Sequence, residues 1–337
     1  MNLFCILFAP LIFFCLTVAS FSQESIGEEP EDEAPAAEAP SGKENEDRFQ
    51  LDPSVVLEAF RARNFERSFD LAITFAARGD VPSMRLLGQM YANGFGVAED
   101  QTEAAEWFGV AAEQGDTEAQ VLLATMLLDG VHVESDPERA ARLLVSASEA
   151  QDPTAMQMLG ALTLEGKGVE RDIGRAAELI RASAELGNSE AQYTLGILYQ
   201  EGAGVRQDNR QAYRWFETAA RKGNSEAQVE FALGLLNGLA GDDRMAETDR
   251  VEDAVFWFKR AAEAGNPIAE NRLAHAYAQG IVVRLDPVQA AYLHFRAVAG
   301  GLGDPSLDSF VAGLTDDQRA QARAQIERDR APANPFD

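Results

Sequence analysis

The chain is predicted to be all-α, a solenoid of six helix-turn-helix repeats of about 36 residues with a cap at each end, and three observations carry that prediction. Glycines recur at a constant step: Gly94, Gly130, Gly166, Gly202 and Gly238 lie 36 residues apart, and Gly280 follows after 42. Alanines in the second half of each unit keep the same step at Ala104, Ala140, Ala176 and Ala212, with Ala254 and Ala290 following after 42 and 36. Helix-capping residues repeat between them as Asp80, Asp116, Asp152, Asn188, Asn224, Asn266 and Asp304, with proline at the first helical position in Pro153, Pro267 and Pro305. Units of this length cannot bury an apolar face alone, so they stack.

The unit reads most plainly from Ala191 to Gly223. Ala191, Leu195, Leu198 and Tyr199 form one stripe of a first helix, and Gly202 ends it in the left-handed conformation that costs glycine least. Gly204 keeps the turn tight, Val205 is its one apolar residue, and Asp208 stands where the next N-cap belongs. Ala212, Trp215, Phe216, Ala219 and Ala220 then stripe the second helix, which Gly223 closes.

One column predicts how the helices touch. Gly88, Ala124, Gly160, Gly196, Ala232 and Ala274 fall in the middle of the first helices, where glycine costs ~1 kcal/mol relative to alanine. Backbones that approach too closely for a larger side chain are the expected reason. Trp107, Trp215 and Trp257, with Leu143, Leu179 and Leu293 in the same column, are expected to fill the wider gap between second helices as core residues.

The spaced pattern of alanine, Leu-Gly, Tyr, the Gly-x-Gly-Val turn, Asp, Trp-Phe, Ala-Ala and a closing glycine, whole from Ala191 to Gly223, resembles the Sel-one-like repeat family, relatives of the tetratricopeptide repeats. The resemblance runs from about Val81 to Asp304 and implies a right-handed α/α superhelix used as an adaptor for other proteins. Three departures are local. His132 replaces a turn glycine, Gln151 replaces a closing glycine, and six extra residues lie within Leu239 to Asp249.

Along the chain, residues 1–22 read as a signal peptide, with no charge from Met1 to Val18 and small residues at Ala19, Ser20 and Ser22. An uncleaved anchor is the alternative. Cys15 follows Ile12, Phe13 and Phe14, unlike a lipoprotein cleavage site, so no lipid anchor is predicted. Both cysteines lie in this segment, which leaves the mature chain without thiol or disulfide chemistry. Residues 23–50, rich in Glu, Pro and Ala, form an acidic linker too poor in apolar side chains to order itself. Residues 51–80 read as a degenerate leading repeat that shields the first full copy. Residues 81–304 hold the six repeats, 305–330 a C-terminal capping helix with Thr315 as N-cap and Ala320 and Ile326 among its apolar residues, and 331–337 a tail.

The net charge of −26 opposes nucleic-acid binding, which needs clustered Lys and Arg. No membrane contact is predicted beyond the leader or anchor. Localisation is expected to be exported and periplasmic, with secreted and membrane-anchored forms as alternatives; the periplasmic address rests on the family resemblance.

Catalytic chemistry finds no foothold. His132, His275 and His294 stand in different copies without metal spacing, and His294 is expected at the surface or in a groove. Gly166-Lys167-Gly168 lacks the Ser or Thr and the glycine spacing of a phosphate loop, and no serine-hydrolase motif occurs. Most carboxylates fall at caps or on solvated faces, and Asp242 with Asp243 reads as an exposed acidic loop rather than a cation site. No catalytic residue, cofactor or metal is predicted.

Recognition remains. Two first-helix columns vary in type: Arg85, Val121, Gln157, Tyr193, Val229 and Asn271, and four residues on Gln89, Thr125, Ala161, Ile197, Leu233 and His275. Residues four apart share a helix face. If that face lines the concave groove, as in related solenoids, Arg85, Gln89, Val121, Thr125, Gln157, Tyr193, Ile197, Asn271 and His275 form the candidate site for a peptide or partner protein. The function expected is an exported, non-enzymatic scaffold or regulator. A hydrolase acting on cell-wall peptide or glycan is the alternative, and neutral drift of surface residues is the bland account of the strip.

Overall fold

In a computed structural model of the chain, residues 52–242 and 245–330 are described, and no strand occurs among them. The expected leader 1–22, linker 23–50 and tail 331–337 lie outside the described residues, as does Asp243. A short hairpin, α1 (Ser54–Arg61) and α2 (Phe65–Ala76), comes first. Six hairpins follow: α3 (Val81–Asn93) with α4 (Gln101–Glu113), α5 (Thr117–Asp129) with α6 (Pro137–Glu149), α7 (Pro153–Glu165) with α8 (Ile173–Glu185), α9 (Ser189–Glu201) with α10 (Asn209–Arg221), α11 (Ser225–Leu236) with α12 (Glu247–Glu263), and α13 (Pro267–Gln279) with α14 (Pro287–Ala299). Each of these helices packs chiefly on the helices before and after it, which is the stacking of a solenoid.

The caps work as their residue types require. Asp116 accepts the Ala119 amide at 2.8 Å, Asn188 that of Ala191 at 2.9 Å and Asn224 that of Ala227 at 2.7 Å, each worth ~1 kcal/mol to its helix. Gly94, Gly130, Gly166, Gly202 and Gly280 end first helices in the left-handed conformation. Gln151 and Val282 adopt it too, at φ +61° and +62°, in columns that glycine fills elsewhere.

The second turn glycine sets how repeats seat on one another. Gly204 presses on the Ile173 carbonyl at the start of α8, and a Cβ there would lie 2.9 Å from that of Ala177. Gly168 meets the Pro137 carbonyl at the start of α6 in the same way. The hairpin turn of one repeat therefore rests on the second helix of the repeat before it. His132 occupies the equivalent position exposed.

The mid-helix small residues make a different contact from the backbone approach expected. A Cβ on Gly88 would lie 2.5 Å from the Phe108 ring, one on Gly160 2.7 Å from Ile180 Cγ1, and one on Gly196 2.6 Å from Phe216 Cδ1. The glycine is a seat for a large side chain of the partner helix. His294 belongs to that same large-residue column with Phe108, Leu144, Ile180, Phe216 and Phe258, and it is 1% exposed, which corrects the surface or groove placement expected from its sequence neighbours. Its Nε2 lies 2.8 Å from Asp308 Oδ1. In the tryptophan column Trp257, Leu179 and Leu293 are buried, while Trp107, Trp215 and Leu143 are half-buried against the core.

A polar rung runs between repeats. Gln120, Gln192 and Gln228 are buried and donate to the carbonyls eight residues before them, Ala112, Ala184 and Ala220, at 3.1, 2.9 and 3.1 Å. Glu270 holds the same position in the sixth repeat and has no hydrogen to donate while ionised. Arg296 Nη2 supplies it, reaching the Ala262 carbonyl at 3.2 Å and lying 2.6 Å from Glu270 Oε1 as an ion pair.

The insertion lengthens α12 to 17 residues, so an extra turn precedes Arg250, and Ala246 provides no side-chain cap. At the N-terminal end, Phe65 stacks on Phe95 with ring centroids 4.9 Å apart and Phe60 meets Phe95 edge-on at 5.7 Å, covering the first full repeat. The C-terminal segment is two helices, α15 (Pro305–Ala312) and α16 (Asp316–Arg330), so the capping helix expected over 305–330 is divided at the start read from Thr315. Thr315 and Gln318 exchange hydrogen bonds at 3.2 and 3.0 Å as a capping box, which restarts the chain after Gly313. α16 packs on α14 through Ala322, which is buried, while Ala320 is exposed.

Candidate functional site

The two variable columns lie on the first helices α3 to α13, and none of their residues is fully exposed. Their ends are spent on joining repeats. Arg85 Nε bonds Asp116 Oδ2 at 3.1 Å and its Nη1 pairs with Glu118, while Gln89 Nε2 reaches Glu118 Oε1 at 3.3 Å. At the far end Asn271 Nδ2 and His275 Nε2 lie 3.1 and 2.8 Å from Asp304 Oδ2. Asp116 and Asp304 are the N-caps of α5 and α15, so one carboxylate both caps its helix and clasps the preceding repeat. Gln157 and Asn271 are buried, and Thr125 bonds back to the Val121 carbonyl at 2.9 Å.

The middle of the strip is different. Tyr193 leans on the Phe216 ring at 5.8 Å and makes no hydrogen bond through its hydroxyl among the described residues; Ile197, one turn on, is half-buried. Glu190, Glu226 and Glu230 surround it, and burial followed by these three charges pushes the Tyr193 hydroxyl pKa far up. Burial raises the Glu230 carboxyl, and burial with the Glu226 charge raises Glu190 against the lowering hydrogen bond from Asn224 Nδ2 at 3.1 Å. Glu230 is half-buried and departs from the solvated faces expected of most acidic residues, whereas Glu190 and Glu226 are exposed. The sequence signal was present: Glu118, Glu190 and Glu226 share one column in the repeat frame.

These shifts act in opposite senses on stability. The folded chain holds the Glu190 and Glu230 protons more tightly than the unfolded chain, so stability rises as pH falls from the raised values toward the ordinary carboxylate range. Hydrogen bonds from Ser306, His275 and Asn271 hold the Asp304 carboxyl well below that range, so its contribution is present at neutral pH and is lost as pH falls through the depressed value. Glu230→Gln is expected to raise the melting temperature at neutral pH and to flatten the rise seen on mild acidification. A melting series over pH for the variant and the parent checks both; an unchanged slope would refute the assignment to Glu230.

Hairpins stacked in sequence, with a variable face on the first helices, define an α-solenoid of the protein-interaction class. A family model described as Sel1 repeat matches residues 81–116, 117–152, 153–188, 189–224, 227–266 and 267–302, and the chain belongs to the Sel1 repeat family. The crystal structure of a Sel1 repeat protein from Oxalobacter formigenes is 27% identical with a TM-score of 0.64, over 73% of this chain and 96% of that one. That of c5321, a protective antigen present in uropathogenic Escherichia coli strains and displaying an SLR fold, is 24% identical with a TM-score of 0.67, over 85% of this chain and 64% of that one, and bears on the fold alone. No curated protein matches the chain. Sel1 repeat proteins are generally protein-interaction scaffolds. Among the described residues no helix is long and apolar enough to cross a membrane, and no group of three or more His, Cys, Asp or Glu side chains is placed to hold a metal ion.

Proposed function

We propose that the protein is an exported, non-enzymatic scaffold that holds a segment of a partner protein on the first-helix face centred on Tyr193 and Ile197. The observation that carries this reading is the division of labour along the strip. Arg85 and Gln89 are engaged with the next repeat, and Asn271 and His275 with the C-terminal cap, whereas the Tyr193 hydroxyl makes no hydrogen bond among the described residues. A half-buried aromatic ring beside an aliphatic side chain is the kind of anchor that protein interfaces concentrate their binding energy on. The carboxylates of Glu226 and Glu230 beside it favour a partner that presents Lys or Arg at that point.

Export to the periplasm is proposed from the uncharged apolar run of residues 1–18 and the family resemblance. The hydrolase alternative draws no support from this face, where Asn224 engages Glu190 and the Tyr193 hydroxyl pKa is pushed away from neutrality.

A photo-crosslinking residue at position 193 is expected to capture a discrete partner in the native cells, and one at Thr218, exposed on α10, is not. Tyr193→Ala with Ile197→Ala should weaken that partner's binding by at least about tenfold while the chain stays helical. Equal capture from both positions, or unchanged binding by the double variant, would remove this face as the site.

A further inference from the structure

A second site lies on the other helices. Between α4, α5 and α6 a surface pocket of about 360 Å³ has a floor of Ala112, Leu123 and Leu143, with Arg139 and Arg142 at its side. Those two arginines are three residues apart on α6 and share a helix face. Neither guanidinium has a hydrogen bond or ion pair among the described residues, although acidic side chains outnumber basic ones 55 to 29 in the whole chain.

Two details point inward to a ligand. Gln120, 4% exposed, donates from Nε2 to Ser146 Oγ at 3.1 Å as well as to the Ala112 carbonyl. Ser146 Oγ is thereby an acceptor, and its own hydrogen is left to donate into the pocket. The second detail is Gly109, inside α4 and lining the same pocket. A Cβ there would meet only Leu123 Cδ2 at 3.9 Å and Arg139 Nη2 at 4.0 Å, ordinary contacts, so packing does not demand glycine. It costs the helix ~1 kcal/mol relative to alanine and returns open volume beside the arginines.

Three outward donors over an apolar floor suit a carboxylate on a short aliphatic stem. Guanidinium groups bind carboxylates through paired, charge-assisted hydrogen bonds. Glu113 lines the rim and is the one acid of the pocket, leaving the arginines in excess. We infer that this pocket binds the glutamate or aspartate side chain of an acidic peptide, at a site separate from the Tyr193 face.

The probe is N-acetyl-glutamate N-methylamide, with its glutamine counterpart and inorganic phosphate as comparisons, titrated into the full chain while the amides of Gly109 and Ser146 and the side-chain resonances of Arg139 and Arg142 are followed by NMR. Saturable shifts are expected for the glutamate probe, with the glutamine probe at least about tenfold weaker. Arg139→Gln with Arg142→Gln should lose the same factor, and so should Gly109→Leu, while Gly109→Ala should raise the melting temperature. Glutamine binding as well as glutamate, the arginine variant keeping its affinity, or no saturable shift in a folded chain would each overturn the site. Phosphate binding as tightly as the glutamate probe would mark a general anion pocket and overturn the peptide reading. None of these readouts involves Tyr193, so this site and the first-helix face fail independently.

Discussion

Replacing Arg296 with alanine is expected to destabilise the protein by about 3 kcal/mol, because it strands Glu270 in the interior. Glu270 is 2% exposed; burial pushes its carboxyl up, and Arg296 pulls it back. The same guanidinium also satisfies the Ala262 carbonyl and, at 3.0 Å, bonds the hydroxyl of Tyr292, which in turn donates to Asp329 on α16. Losing it unties the last repeat and its cap together. The rest of the chain shows the remedy. Gln120 and Gln192 occupy the Glu270 position with Ser146 and Thr218 where Arg296 stands, and they donate to the upstream carbonyl directly. Adding Glu270→Gln to Arg296→Ala is therefore expected to recover most of the loss. Urea unfolding of both variants checks it, and a double variant no more stable than Arg296→Ala alone would disprove the substitution of one donor for another.

The second large effect belongs to the glycine seats. Gly196→Leu is expected to cost about 3 kcal/mol, since its Cβ would overlap the Phe216 ring and that ring, wedged against Tyr193 and Tyr213, is fully buried. Alanine at the same place gains ~1 kcal/mol of helix propensity but still meets the ring, so the contact decides the sign. Phe216→Leu should relieve the Gly196→Ala penalty, because the second repeat already has Ala124 and Leu144 at these positions. A coupling energy near zero in that double-mutant cycle, read from denaturation midpoints, would show that the seat is not the reason for the glycine.

Much of this architecture is legible because it is local and repeated. Asp116, Asn188 and Asn224 cap through hydrogen bonds that span three residues, and Gly202 needs only its own φ, so residue type and spacing suffice to place them. His294 shows where such reading stops. Its neighbours suggested a surface or groove position, while counting back through the 42-residue step sets it beside Phe258 and Phe216 in a buried column. The two helices of the C-terminal segment are legible as starts, Asp304 before Pro305 and Thr315 with Gln318, whereas the packing of α16 on α14 is not, because it joins residues of different hairpins.

The candidate strip was half legible. Its columns were found from the period, but whether a side chain faces a partner or the next repeat depends on residues about 30 positions away. Arg85 reads as a free cation until Asp116 and Glu118 are brought against it, and His275 until Asp304 is. Tyr193 gained its acidic surroundings in the same way, from Glu226 and Glu230 on the following first helix.

From its residues alone this protein is committed to six capped hairpins that must stack, because period, caps and apolar stripes act within one repeat and agree with one another. Only the tertiary structure decides which polar groups are consumed at the joints and which stay available, as at Tyr193 or at Arg139 and Arg142. Stacking sets those distances across repeats, and a hydrogen bond or ion pair is made or lost within about an ångström.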